Sequence, residues 1–174
     1  MDIYYSYACR ESYLVHAWLK HVKKNGQSVD IDWRPFAIQM ENPNEYWEQP
    51  WESANSELRG FIAAEAARRQ GSESFSRFHD ALEQLVHEQL LELRDEVTLL
   101  GAAQQAGLNL DKFQTDWHDP QLAQDARRQH LEGHRFLAGA VEDHILNARR
   151  QVFPRRVEVE TVVHRQALQQ HVEK

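Results

Sequence analysis

This chain has one cysteine in 174 residues, so no disulfide can form within it. Such usage agrees with a reducing compartment. No apolar run approaches the roughly 18 residues that a membrane span needs, and the mean hydropathy is -0.72. Met1-Asp2-Ile3 lacks the basic and apolar regions of a signal peptide. A soluble, cytoplasmic protein with no membrane partner is the expectation. The 20 basic side chains are outnumbered by 27 acidic ones, a formal net charge of -7, and the arginines are scattered. That balance argues against nucleic acid as a partner. Internal repeats and low-complexity tracts are also missing. His130 and His134 lie four apart in "HLEGH", but Glu132 stands at the wrong offset for a zincin H-E-x-x-H and spacing indicates no third ligand. Solvated helix histidines, and no metal, are expected there.

The length suits one domain with a real core, or a small domain carrying a large insertion. Ile3–Tyr7 is short and aromatic-rich, as strands are. From Arg10 the apolar spacing becomes helical through Tyr13, Leu14, Ala17, Trp18, His21 and Val22, and Lys23, Lys24, Asn25 and Gly26 close that helix. Val29, Ile31 and Trp33 alternate with polar residues as a half-buried strand that Pro35 stops. Strand, helix and strand then predict a crossover with the two strands parallel.

Residues 37–55 read as a long irregular loop. Its aromatics Tyr46, Trp47 and Trp51 either line a pocket or pack the loop onto the body. Helical periodicity follows. Leu58, Phe61, Ile62, Glu65 and Ala66 mark one helix ending near Gly71. Phe75, Phe78, His79, Leu82, Leu85 and Val86 mark the face of the next, with His79 a hydrogen-bonded core or pocket residue. Val97–Ala106, closed by Gly107, and Leu110–Trp117 make two more, and Asp119-Pro120 starts a fifth in the N-cap and N1 arrangement. After Val152-Phe153-Pro154, the alternation from Val157 to Val163 predicts a strand, with a helix through 157–172 as the alternative, and His164–Val172 a last helix.

The lone Cys9 thus falls between the first strand and the first helix. Unpaired N–H groups and the positive end of the helix dipole favour a thiolate there. Arg10 adds positive charge, which Glu11 partly offsets. Ser12, three residues on, is placed to donate a hydrogen bond to the sulfur. The chemistry suited to this position is nucleophilic attack on a disulfide, or a mixed disulfide with a small thiol. A buried cysteine acting only as a small apolar side chain is the plain alternative. His16 lies too far along the helix to act on Cys9.

The segments "YACRESYLVHAWL" at 7–19, "VDIDWRPFAI" at 29–38, "AAEAARRQG" at 63–71 and "FSRFHDAL" at 75–82 resemble the DsbA-like branch of the thioredoxin superfamily. The likeness is to its FrnE-related and hydroxychromene carboxylate isomerase-like members, and it covers residues 2 to about 130. It implies an α/β, thioredoxin-like fold with an inserted helical domain. Residues 1–36 and 150–174 would form the thioredoxin-like part and 56–149 the insertion, with 37–55 connecting, all in one compact unit.

The same resemblance implies a redox centre at Cys9 and Ser12, where the family's dithiol has its two cysteines; Arg10 replaces the proline between them. A Cys-x-x-Ser centre forms a mixed disulfide and cannot resolve it internally. Pro154 stands where chain order places the family's cis-proline, although the glycine-containing loop around that proline is missing. Thiol-binding roles are accordingly expected for Arg10, Pro154, Trp47 and Trp51. Three functions follow from the resemblance. One is a monothiol oxidoreductase acting on a small thiol or a protein disulfide, with glutathione as co-substrate. Another is a glutathione-dependent isomerase or transferase whose aromatic loop receives an apolar substrate, and the third is a non-catalytic scaffold. The C-terminal 40 residues fit the pattern poorly, which leaves the sheet incomplete, rearranged or completed by a partner chain in a homodimer.

Overall fold

The computed structural model describes residues 1–27, 29–37, 47 and 56–140, with backbone alone at 56 and 134–140. The chain divides into two compact units, Met1–Gly133 and His134–Lys174. The division falls at neither end of the expected insertion. Of the second unit only the backbone of residues 134–140, helical throughout, is described. The expected strand at 157–163 and helix at 164–172 lie outside the described residues.

The first unit opens with β1 (Asp2–Tyr5), α1 (Arg10–Lys24) and β2 (Asp32–Pro35). The two strands pair in parallel, in register from Asp2 with Asp32 to Tyr5 with Pro35. Asp32 N donates to Met1 O at 2.9 Å and Phe36 N to Tyr5 O at 2.8 Å. The donors toward β1 therefore sit at even positions, so Pro35, which has no N–H, is accommodated as the last residue of the strand.

Five helices follow: α2 (Ser56–Arg68), α3 (Ser72–His87), α4 (Glu96–Gln105), α5 (Leu110–Trp117) and α6 (Pro120–Ala140). Two of these helices begin with side-chain caps, the second of them expected from Asp119-Pro120. Asn109 Oδ1 accepts from Lys112 N at 2.9 Å ahead of α5, and Asp119 Oδ1 accepts from Gln121 N at 2.9 Å ahead of α6. On α3 the expected residues Phe75, Phe78, His79, Leu82 and Leu85 are buried, one turn apart. Helix α2 is buried nearly all round through Leu58, Phe61, Ile62 and a run of alanines, as a helix enclosed by others must be. Fully burying a ring such as Phe61 contributes roughly 2 to 3 kcal/mol.

One continuous core joins the strands to these helices, running from Tyr5, Tyr7 and Trp33 to Phe61, Phe78 and Trp117. Close approach is bought by small residues at two places. A Cβ on Gly60 would lie 3.0 Å from Leu93 Cδ1 and 3.1 Å from Tyr7 Cδ2; one on Gly133 would lie 2.6 Å from Tyr4 Cε1.

Leu14 and Trp18 belong to the apolar spacing of α1, yet they are 52% and 50% exposed, while His16 and Leu19 are 5% and 4% exposed. Asp80 on α3 explains the rotation: it meets His16 Nε2 at 2.9 Å and Lys20 Nζ at 3.1 Å, drawing that side of α1 toward α3. Against expectation, His130 is not solvated. It is fully buried, its Nδ1 accepts from Ala37 N at 3.2 Å, and its ring lies against Phe36 and Trp47.

Candidate functional site

Beyond β1 the chain turns through Ser6, Tyr7 and Ala8 to reach α1, and Ser6 organises that turn. Its carbonyl accepts from Cys9 N at 3.1 Å and its Oγ accepts from Ala8 N at 3.2 Å. The same hydroxyl donates to the Glu57 carboxylate of α2. Ser6 N in turn donates to Ser12 Oγ at 3.3 Å. A residue 51 positions away and one on the following helix thereby hold the cysteine loop.

Cys9 is the N-cap of α1, with an extended backbone at φ -103° and ψ 114° and no side-chain capping bond. Its carbonyl accepts from Tyr13 N at 3.2 Å. The thiol is half-buried and donates to Glu11 Oε2 at 3.2 Å. This hydrogen bond is the first cause holding the Glu11 carboxyl below its ordinary range. The sulfur's partner is thus Glu11, whereas the Ser12 hydroxyl is turned to the Ser6 amide. The bond to Glu11 exists only while sulfur keeps its proton.

Behind the loop lies a buried aromatic and imidazole cluster. The Tyr7 hydroxyl and His79 Nδ1 are 2.9 Å apart. The His79 ring sits among Tyr5, Trp33 and His16, with centroids 4.7 to 4.8 Å away. Burial, helped by His16, pushes the His79 pKa well down, so the ring is neutral. His79 is therefore the hydrogen-bonded core residue that its place on the apolar face of α3 suggested.

A turn further along α3, Glu83 is 1% exposed and its Oε2 is 3.3 Å from His87 Nε2. Burial, with Asp80 adding to it, pushes the Glu83 carboxyl up to about 8. Burial also lowers the His87 pKa. Near neutral pH the pair is accordingly a protonated acid beside a neutral imidazole and not an ion pair, and neither Glu83 oxygen nor His87 Nε2 makes a hydrogen bond among the described residues. The Tyr13 ring stacks on His87 at 4.9 Å, and its hydroxyl donates to Glu88 Oε1 at 2.9 Å.

These contacts place the sequence-derived candidates as follows. Cys9, Arg10 and Ser12 come together at the start of α1, with Arg10 exposed. Trp47 stands apart: it is buried, stacked on Phe61 at 6.3 Å, and so takes the packing alternative. Trp51 and Pro154 lie outside the described residues. Glu57, Glu83 and His87 went unremarked in the sequence. His79, Glu83 and His87 recur every fourth residue on an otherwise apolar helix face, and that spacing was the available signal.

A family model, Thioredoxin, matches residues 5–132. The chain belongs to the thioredoxin family. No curated protein matches it. The match runs from the last residue of β1, through the cysteine loop, to the residue before Gly133, where the first unit ends. Parallel strands joined through α1, with helices packed against them, agree with the α/β, thioredoxin-like fold of the family. In this thioredoxin-family chain no three His, Cys, Asp or Glu side chains converge as a metal site among the described residues. None of the described helices is long and apolar enough to cross a membrane.

Proposed function

We propose that this thioredoxin-family chain carries out thiol-disulfide exchange through Cys9 alone, as a monothiol member of the DsbA-like, FrnE-related branch. The observation that carries the reading is the position of the sulfur. It is half-buried at the N-cap of the helix that follows the first strand, beside the positive Arg10 and the orphan N–H groups of the first turn.

The reaction begins when the thiol loses its proton to water. The Cys9 thiolate attacks one sulfur of a disulfide, a new S–S bond forms, and the other sulfur leaves as a thiolate. Because the chain has no second cysteine, an external thiol such as glutathione attacks the adduct. That step restores Cys9 and releases a new disulfide. No net oxidation of the protein occurs.

Intact-mass analysis of the folded chain with oxidised glutathione tests this reading. One glutathione adduct per chain is expected, removed by added thiol and missing in Cys9→Ser. Protection of Cys9 in the folded chain, with reaction only after unfolding, would overturn it in favour of a scaffold.

A further inference from the structure

Cys9 heads a stripe along α1 that continues through Tyr13, His16, Ala17, Lys20 and Lys24, three or four residues apart on one helix face. From Tyr13 onward this stripe lines a groove of about 280 Å3, walled on the α3 side by Gln84 and Glu88. That volume is at the low end for ligand sites.

The groove carries charge along its length. At the end nearer Cys9, Glu88 accepts the Tyr13 hydroxyl. In the middle Lys20 is 3.1 Å from Asp80, which also holds His16, so one carboxylate is shared between two bases. At the far end Lys24, like its groove neighbour His21, forms no ion pair among the described residues. Positive charge without an ion pair among the described residues therefore stands at both ends, the exposed Arg10 beside Cys9 and Lys24 at the far end. At 1.5 Å per residue, Lys20 and Lys24 lie about 16 and 22 Å along the helix from Cys9. A tripeptide thiol, at most about 10 Å long, cannot bridge the sulfur and either lysine. An extended peptide does so in about five to seven residues.

Resting on the exchange reaction proposed for Cys9, we infer that the groove receives an extended peptide. Its cysteine reacts at Cys9 and its acidic side chains, about five to seven residues away, lie against Lys20 and Lys24. Cys9 attacks the peptide sulfur, the new S–S bond joins the two chains, and the peptide's former disulfide partner leaves as a thiolate.

The test uses the whole chain and synthetic peptides with one cysteine, each presented as its mixed disulfide with thionitrobenzoate, whose release is coloured. One set carries glutamates five to seven residues from the cysteine, the other lysines, and uncharged hydroxyethyl disulfide is run beside them. The acidic peptides are expected to react about 3- to 10-fold faster at low salt. The preference should shrink toward unity in about 0.5 M salt and fall or reverse in Lys24→Glu. Equal rates for both sets, with hydroxyethyl disulfide still reacting, would overturn the groove assignment and leave the exchange reading intact. A preference undiminished in both Lys24→Glu and Lys20→Gln would likewise overturn it. Failure of every disulfide to react with Cys9 would sink both.

Discussion

Glu83 gives the most direct access to the energetics behind the cysteine loop. Its carboxyl is buried and holds its proton to about pH 8, against an ordinary value of 4.5. Between these limits the unfolded chain releases a proton that the folded chain keeps. The unfolded state binds fewer protons, so stability falls as pH rises through this window and levels off above it. At about 1.36 kcal/mol per pH unit, the loss is roughly 3 kcal/mol by pH 7 and 4 to 5 kcal/mol in full. Replacing Glu83 with Gln removes the titration and keeps the size of the side chain.

Urea unfolding of both proteins from pH 5 to pH 8 measures the difference. Glu83→Gln should approach wild-type stability at pH 5 and exceed it by roughly 2 to 3 kcal/mol at pH 7, a midpoint higher by about 1 to 2 M. His79 and His87 slope the other way. Their pKa values are depressed by burial, so their contribution is lost as pH falls below about 6.5. That contribution is common to both proteins and cancels in the comparison. A gap that stays constant with pH, or narrows as pH rises, would show that Glu83 is ionised in the folded chain and would refute the reasoning.

Further outcomes follow from single contacts. Glu11→Gln removes the carboxylate that accepts the Cys9 thiol, and iodoacetamide should then alkylate Cys9 about 2- to 5-fold faster at pH 7; an unchanged rate would detach Glu11 from the sulfur. Tyr7→Phe leaves the buried His79 Nδ1 without its 2.9 Å partner, an expected loss of about 1 to 3 kcal/mol in chemical unfolding, and equal stability would mean that another group takes the bond. Gly133→Ala forces a methyl to within 2.6 Å of Tyr4 Cε1. Strain of about 1 to 3 kcal/mol outweighs a helix-propensity gain of about 1 kcal/mol, so the melting temperature should fall, and a rise would show that the Tyr4 ring yields freely.

Much of the fold was legible from local pattern, because local pattern reports what each segment must bury. The spacing of Phe75, Phe78, Leu82 and Leu85 marked both α3 and its inward face. Asp119 and Pro120 marked the start of α6, where an acceptor and a fixed φ meet the needs of the first turn. The short aromatic and alternating segments on either side of α1 announce a parallel pair, and the residue order alone puts the one cysteine at the junction of strand and helix.

What the sequence could not settle depends on partners distant along the chain. The rotation of α1 was decided by Asp80, whose attraction for His16 and Lys20 outweighs the apolar count of Leu14 and Trp18. Burial of His130 was decided by the amide of Ala37, 93 residues earlier, which offers the imidazole a donor and offsets its desolvation. The carboxylates of Glu57 and Glu83 have acidic identities typical of a surface. Only packing against the loop of Ser6 and Tyr7 shows that one anchors the cysteine and the other keeps its proton. Residue types and spacing determined the elements and the place of the thiol; tertiary packing set its neighbours, since burial and charge pairing arise between segments that sequence separates.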